Sequence, residues 1–287
     1  MRTTSEAPVA EPQSVKRTAN GSAARVVDRS KPETPPGVAV DIADLAHSFG
    51  ELEVIERLDL RLGPGEVLGV VGPSGCGKST LLELVSGLRE QTAGEIAVNG
   101  ESLPSDRLSS CAYMPQRDLL LPWLVAIDNA AIALRNRGSS RAVARRAAHP
   151  LFERFGLAGF ERTRAAELSG GMRQRVAFLR TLLAGKPVLL LDEPFASLDA
   201  ITRAEMQEWL AGALAAESRS VILVSHDVEE ALYLSDRVLV LSPRPARAVA
   251  EISAPAPRAR PRLEAVTASG FTHARERALE ALTEGSR

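Results

Sequence analysis

The sequence predicts an α/β chain built around a mainly parallel sheet with helices on both faces. Two observations predict it. Short apolar runs alternate with helical patterns through the second half of the chain, the pattern of parallel strands joined by crossover helices. Residues 72–79, Gly72-Pro73-Ser74-Gly75-Cys76-Gly77-Lys78-Ser79, form a G-x-x-x-x-G-K-[ST] loop between an apolar run and a helical one.

The loop names a ligand class, a nucleoside triphosphate with magnesium. Its glycines let backbone N–H groups turn inward around phosphate oxygens. Lys78 is a point charge able to reach the outer phosphates, and the Ser79 hydroxyl can ligate Mg²⁺. Val67–Val71 fits a buried strand, and 79–86 fits a helix closed by Gly87, whose N-terminus favours anions. The chain carries 35 Lys and Arg, of which only four are lysines; one is kept inside the loop, where a compact ammonium is wanted rather than a planar fork.

The remaining elements follow in order. Residues 1–37, rich in Pro, Ser, Thr, Ala and charge, read as a disordered tail. Val38–Ile42 begins a strand, Gly63-Pro64-Gly65 turns into the loop strand, and 94–98 is a strand ending at the Asn99-Gly100 turn. From about Asp128 to Phe160 the chain is alanine- and arginine-rich and helical. Then come a helix over 170–183, a strand over 188–191, a helix near 203–215, a strand over 221–224, a helix over 228–234 and a strand over 238–241. After Ser242, prolines and arginines run to about 262, and an amphipathic helix is possible near 274–282. That stretch reads as an appended regulatory element or a frayed tail, with the tail favoured.

Composition narrows the classes. At 287 residues the chain holds one large domain or two small ones, with 45% hydrophobic residues for a core and a net charge of −1, which gives no argument for nucleic acid as a partner. Two cysteines, Cys76 and Cys111, make neither a disulfide framework nor a metal site and suggest a reduced, cytosolic setting. Cys76 occupies a variable position of the loop and reads as a tolerated small residue. No apolar stretch of about 20 residues is present to span a bilayer, and the N-terminus lacks the apolar core of a secretory signal.

Three further segments carry chemistry. Val188–Leu191 runs into Asp192-Glu193, placing two acids at the C-terminal end of a buried strand, where parallel sheets bind ligands. Asp192 is placed to hold magnesium and Glu193 to polarise an attacking water. Leu168-Ser169-Gly170-Gly171-Met172-Arg173-Gln174-Arg175 opens a helix with a good N-cap, Ser169, and two glycines that leave N–H groups uncovered. It reads as a second anion site, although an ordinary capped helix satisfies the same residues. Val221–Val224 delivers His226 to the sheet edge where the phosphates are expected. Such a histidine is more often structural, but its placement favours a γ-phosphate contact. Gln116, after Tyr113-Met114-Pro115, is a loop residue with little signal of its own.

Together these residues resemble the ATP-binding subunit of an ABC transporter, over roughly residues 38–242. The resemblance implies a P-loop fold with a mainly parallel core, an antiparallel β subdomain and a helical subdomain at about 113–165, with 243–287 as a C-terminal extension. It implies adenine contacts from Phe49 and Val54, phosphate contacts from Gly72 through Thr80, and Gln116 as a loop glutamine that serves both metal and catalysis. It assigns a signature at Ser169, Gly170 and Gly171, a Ser197-Leu198-Asp199 loop, and His226 as a catalytic contact beside Glu193, with Ser79 and Asp192 on the metal. Two copies are then expected to face each other head to tail, the signature of one closing on the γ-phosphate held by Lys78 of the other. The cofactors implied are ATP and Mg²⁺. The implied partners are a second copy, a separate membrane permease and, indirectly, a solute-binding protein, with no nucleic acid and a peripheral location on the cytoplasmic face of the membrane.

Leu120-Leu121-Pro122-Trp123-Leu124 with Asp128-Asn129, and Leu198 to Arg203, are similar to the nitrate, sulfonate and taurine branch of importers. Arg180–Leu183 and Gln207–Leu210 are similar to importers of thiamine-precursor pyrimidines. Phenylalanine at 49 and valine at 125 depart mildly from the family pattern. A soluble ABC-type ATPase acting on nucleic acid usually has two cassettes or a long coiled-coil insert, neither of which is present here. A kinase or GTPase has no use for the signature helix.

Overall fold

The computed structural model describes residues 37–196, 198–216, 218–255 and 261–285. The tail expected over residues 1–37 lies outside these apart from Gly37, and so does Ser197. Two long strands come first, β1 (Val40–Phe49) and β2 (Leu52–Leu62), paired antiparallel through a tight turn at Gly50-Glu51. The pairing slips between Ile42 and Leu45, and Asp44 and Arg57 take positive φ near the slip. These bulges bend and twist the ribbon. After β3 (Val67–Val71) and α1 (Lys78–Ser86), strand β4 (Ala93–Val98) adds to the free edge of β1, giving a three-stranded sheet in the order β2-β1-β4.

The second sheet holds the chemistry. Its strands are β3, β5 (Cys111–Met114, after α2, Pro104–Ser110), β6 (Val188–Asp192), β7 (Ser220–Ser225), β8 (Arg237–Leu241) and β9 (Ala248–Ser253). They lie in the order β5-β6-β7-β3-β8-β9, all parallel except β9, which runs antiparallel to β8. Both faces are buried, and the residues alternate strictly between two cores. Val67, Leu189, Leu191, Val221, Leu223, Val238 and Val240 face one. Leu68, Val70, Val188, Leu190, Ile222, Val224, Leu239 and Leu241 face the other, against Leu81, Leu82, Leu84 and Val85 of α1 and the three-stranded sheet. Period-two apolar residues on both faces read in sequence as continuous runs, which is why these strands were legible.

Gly69 sets the layer spacing on one side. A Cβ there would lie 2.7 Å from Ser235 Oγ and 3.2 Å from Ala231 Cβ, so its absence lets α8 (Val228–Leu234) rest against β3.

The helical insert comprises α3 (Ala126–Ala130), α4 (Ile132–Asn136) and α5 (Arg141–Arg154), packed on α6 (Gly170–Leu183). Its fixed point is Asp128, which is buried. Arg145 grips it with two hydrogen bonds of 2.7 Å, and Arg141 adds a second guanidinium. These cations hold the Asp128 carboxyl well below the usual carboxylate range. Helix α7 (Ala200–Ala215) starts at Asp199, whose carboxylate accepts the Ile201 and Thr202 N–H groups.

The C-terminal stretch is not a frayed tail. β9 extends the main sheet, α9 (Arg262–Thr267) follows, and α10 (Ser269–Glu284) buries Phe271, Ala274, Ala278 and Ala281, one face of a helix, against the main core. Phe271 alone contributes about 2 kcal/mol of hydrophobic stabilisation. No helix among the described residues is long and apolar enough to cross a membrane.

Candidate active site

The loop between β3 and α1 turns at Gly77, whose φ of 120° is closed to other residues and whose missing Cβ would stand 2.8 Å from Val54 Cγ1. This close approach brings the β2 ribbon over the loop. A cleft of about 480 Å³ results, lined by Phe49, Leu52, Val54, Ser74, Gly75, Gly77, Lys78, Ser79, Thr80, Gln116, Glu193 and Arg244. Most of the residues expected to touch nucleotide thus lie in one place. Gly72, Pro73 and Cys76 form the underside of the loop instead. The Cys76 thiol is buried, with its pKa raised above the ordinary thiol value mainly by that burial.

The Lys78 ammonium is buried at the floor, donating to the Gly72 and Pro73 carbonyls at 2.9 and 3.0 Å. The Ser79 hydroxyl donates to Asp192 Oδ1 at 3.1 Å, and Tyr113 OH donates to Asp192 Oδ2 at 2.9 Å. Burial raises the Asp192 carboxyl above its ordinary value while these two donors pull it back. Parallel pairing of β5 with β6 puts Tyr113 beside Leu190, so the phenol reaches the acid at the strand end. In sequence Tyr113 reads only as a neighbour of Gln116. The contact depends on sheet register, which one sequence does not print.

One residue further on, Glu193 leaves the sheet with φ 42°, its N–H bonded to Val224 O at 2.9 Å. Three expected partners meet its carboxylate. Gln116 Nε2 donates to Oε2 at 2.8 Å, His226 Nδ1 lies 3.4 Å from the same oxygen, and Lys78 Nζ is 4.0 Å from Oε1. His226 is held on the turn after β7, where Asp227 N–H donates to Ser225 Oγ at 3.0 Å and Asp227 caps α8.

At the rim, Phe49 is partly exposed. Arg89 lies over its ring at 4.6 Å from the centroid, and His47 meets it edge-on at 4.8 Å. Arg89, Leu52 and Arg244 had not been singled out. Arg89 is 40 residues from Phe49 in sequence, and nothing local marks the contact.

The signature stands apart. Ser169 caps α6 by accepting Met172 N–H at 3.2 Å, and the glycines follow at the helix tip. Ser169, Gly170, Gly171 and Asp199 are absent from the described lining of the cleft.

A family model described as "ABC transporter" matches residues 55–196. An aliphatic sulfonates import ATP-binding protein of Rhodococcus jostii is 45% identical over 205 residues, which is 71% of this chain and 80% of that protein. A formylaminopyrimidine import ATP-binding protein of Halalkalibacterium halodurans is 42% identical over 202 residues, covering 70% and 78%. The chain belongs to the ABC transporter family. A taurine import ATP-binding protein of Burkholderia pseudomallei is also 42% identical, over 204 residues covering 71% and 78%. Among solved structures, a dimeric bacterial ABC transporter cassette superposes with a TM-score of 0.67 at 24% identity, over 76% of this chain and 99% of that one, which supports the same fold. This ABC subunit is thus an ATP-binding, ATP-hydrolysing chain.

Proposed function

We propose that this chain is the ATPase of an importer, working as two copies that close on ATP beneath a separate permease. The observation that carries the chemistry is the meeting of Gln116, His226 and Lys78 on the Glu193 carboxylate, directly above the phosphate loop. In this reading Phe49 and Val54 hold adenine, and Gly72–Thr80 hold the phosphates. Glu193 accepts a proton from water as its oxygen attacks the γ-phosphorus. The bond to the bridging oxygen breaks, ADP leaves, and Lys78 and His226 stabilise the charge developing on the transferred group. Gln116 orients Glu193 and the water.

The floor of the cleft suits Mg²⁺. Ser79 and Asp192 offer hard oxygen donors side by side, with Gln116 nearby, and Asp192 is a buried carboxylate whose charged form a cation would favour. Ser79 and Asp192 would hold the ion, which would supply positive charge against the triphosphate.

Ser169, Gly170 and Gly171 lie outside their own cleft, and this supports a role in the cleft of a second copy, with Asp199 beside them. The helical insert from 113 to 165 then meets the permease. Asp118 and Leu119 are tied to α6 by Arg173 on the Asp118 carboxylate and by Arg180 on the Asp118 and Leu119 carbonyls, so movement of the signature helix carries the Gln116 loop with it. The solute is of the nitrate, sulfonate or taurine type, with a small sulfonate such as taurine favoured by the sulfonate and taurine importers at 45% and 42% identity. The pyrimidine importer at 42% supports a second reading. In either case selection rests with the permease and a solute-binding protein, and the chain sits at the cytoplasmic face.

Co-expression with the permease encoded beside this chain tests the assignment. The chain should sediment with membranes only when that permease is present. Membrane binding by the chain alone, or none with the permease, overturns it.

A further inference from the structure

A second polar line runs from the C-terminal helices to the turn that carries His226, passing under α7 and α8. It starts at Arg262 on α9, whose Nε donates to Gln207 Oε1 at 2.6 Å. The other end of that amide, Gln207 Nε2, donates to Glu230 Oε2 at 3.0 Å. Gln207 and Glu230 are 1% and 4% exposed, so this contact is shielded from water. Glu230 also takes a hydrogen bond from the Ser225 hydroxyl. Ser225 Oγ in turn accepts the Asp227 N–H, closing the turn around His226. Each group in the line uses both of its ends, so shifting one disturbs the next.

The same helices reach α8 a second time. Arg275 on α10 donates to Glu229 Oε1 at 2.6 Å, Arg262 lies 3.7 Å from Glu229 Oε2, and the Arg262 N–H donates to Glu208 at 3.0 Å. Glu229 is the second residue of the helix that Asp227 caps. The C-terminal pair therefore grips α7 and the first turn of α8 together, at the base of the His226 turn.

We propose that Glu230 is a positioning residue for His226, and that the C-terminal helix pair, through Arg262 and Gln207, sets where that histidine stands over the cleft. A buried carboxylate surrounded by donors is costly unless each donor is present. Burial pushes the Glu230 carboxyl up to about 7, while the Ser225 and Gln207 bonds act in the opposite direction, holding the charged form. Of the four groups in the line to the His226 turn, Arg262, Gln207, Glu230 and Ser225, Arg262 alone lies outside β7, α7 and α8. Through it, anything that displaces the C-terminal pair acts on the catalytic turn without touching ATP.

The proposal rests on the assignment of His226 to the γ-phosphate, and the experiment separates the two. ATP turnover is measured on the full chain with ATP and magnesium, for wild type, Arg262→Ala, Arg262→Lys, Glu230→Gln and His226→Ala. Arg262→Ala and Glu230→Gln should lower kcat by about five-fold and leave the KM for ATP within about two-fold. Arg262→Lys should recover more than half of the loss. In parallel, the imidazole NMR signals of ¹⁵N-histidine protein report the four histidines, with His226 identified from its variant. Its signal should move in Arg262→Ala and Glu230→Gln while those of His47 and His149 stay put. An unmoved His226 signal, wild-type kcat in both variants, or a loss matched by weaker ATP binding and not rescued by lysine overturns the proposal. If His226→Ala keeps full turnover while the signal still moves, the role given to His226 fails and the positioning line stands.

Discussion

The two glycine-rich helix starts of this molecule, at α1 and at α6, are built differently. The loop end is finished within the chain: Lys78 is buried and tethered to two carbonyls, Asp192 is held by Ser79 and Tyr113, and Glu193 is met by three partners. The signature end is tied down only behind its tip: Ser169 accepts Met172 N–H, Arg173 donates to the Leu168 carbonyl, and Gly171 is buried beside Thr202, while Ser169 itself is exposed. The contrast teaches that one end is preorganised within the chain, as the proposed catalysis needs, whereas the other stands outside the described lining of its own chain's cleft, as the proposed contact between copies needs.

The largest test of that contrast acts on the finished end. Glu193→Gln keeps the shape and the contacts of the cleft but cannot accept a proton. Turnover should fall about 10³-fold while ATP affinity stays within a few-fold, and ATP-loaded dimers should accumulate on a sizing column. Normal hydrolysis by this variant would remove Glu193 from the mechanism.

The next concerns how rigidly the other end is carried. Asp128→Asn removes the charge from a buried carboxyl gripped by two arginines that water still reaches, and should destabilise the fold by about 1–2 kcal/mol in urea titrations. The sign with pH follows from the depressed carboxyl. Asp128 contributes fully above the unfolded value of about 4 and loses that contribution as pH falls toward the lower folded value, so wild type and variant should converge in acid. A gap in stability that widens in acid contradicts the clamp.

A third variant acts on the signature itself. In Gly170→Glu the new Cβ meets nothing closer than 3.6 Å, and an acid suits a helix N-terminus, so the fold should hold. The carboxylate would face the partner's γ-phosphate, and turnover should drop about 100-fold with ATP binding by the single chain unchanged. If turnover survives, the trans contact does not exist.

The smallest effect belongs to the rim. Arg89→Ala removes the cation over Phe49 and should raise the KM for ATP about two- to three-fold with kcat unchanged. A change in kcat without one in KM argues against Phe49 as the base platform.

The main sheet was legible because strands buried on both faces print as apolar runs, and the loop and acids punctuate their ends. β2 alternates only over Leu58–Leu62; before that, the adjacent buried Val54-Ile55 and the positive-φ Arg57 break the period, so the sequence prints half a strand. The C-terminal elements were read as a tail for a different reason. β9 buries only Ile252, and α10 packs mostly through alanines, so neither gives a strong hydrophobic period. At the site, Lys78, Asp192 and Glu193 carry their chemistry in their spacing. Gln116 was placed only by resemblance. Tyr113 and Arg89 act across the sheet register and the ribbon, and those distances exist only once the chain has folded.

Glu193 occupies a backbone conformation, φ 42°, that glycine or asparagine adopts more easily, at a cost of about 1 kcal/mol to the folded state. Selection for heat resistance alone would therefore rewrite this position early and favour Gly or Asn. With Glu193 as the proton acceptor proposed above, the variants it enriched would be hardier and inert, so any thermostability campaign on this enzyme needs a turnover screen at every round.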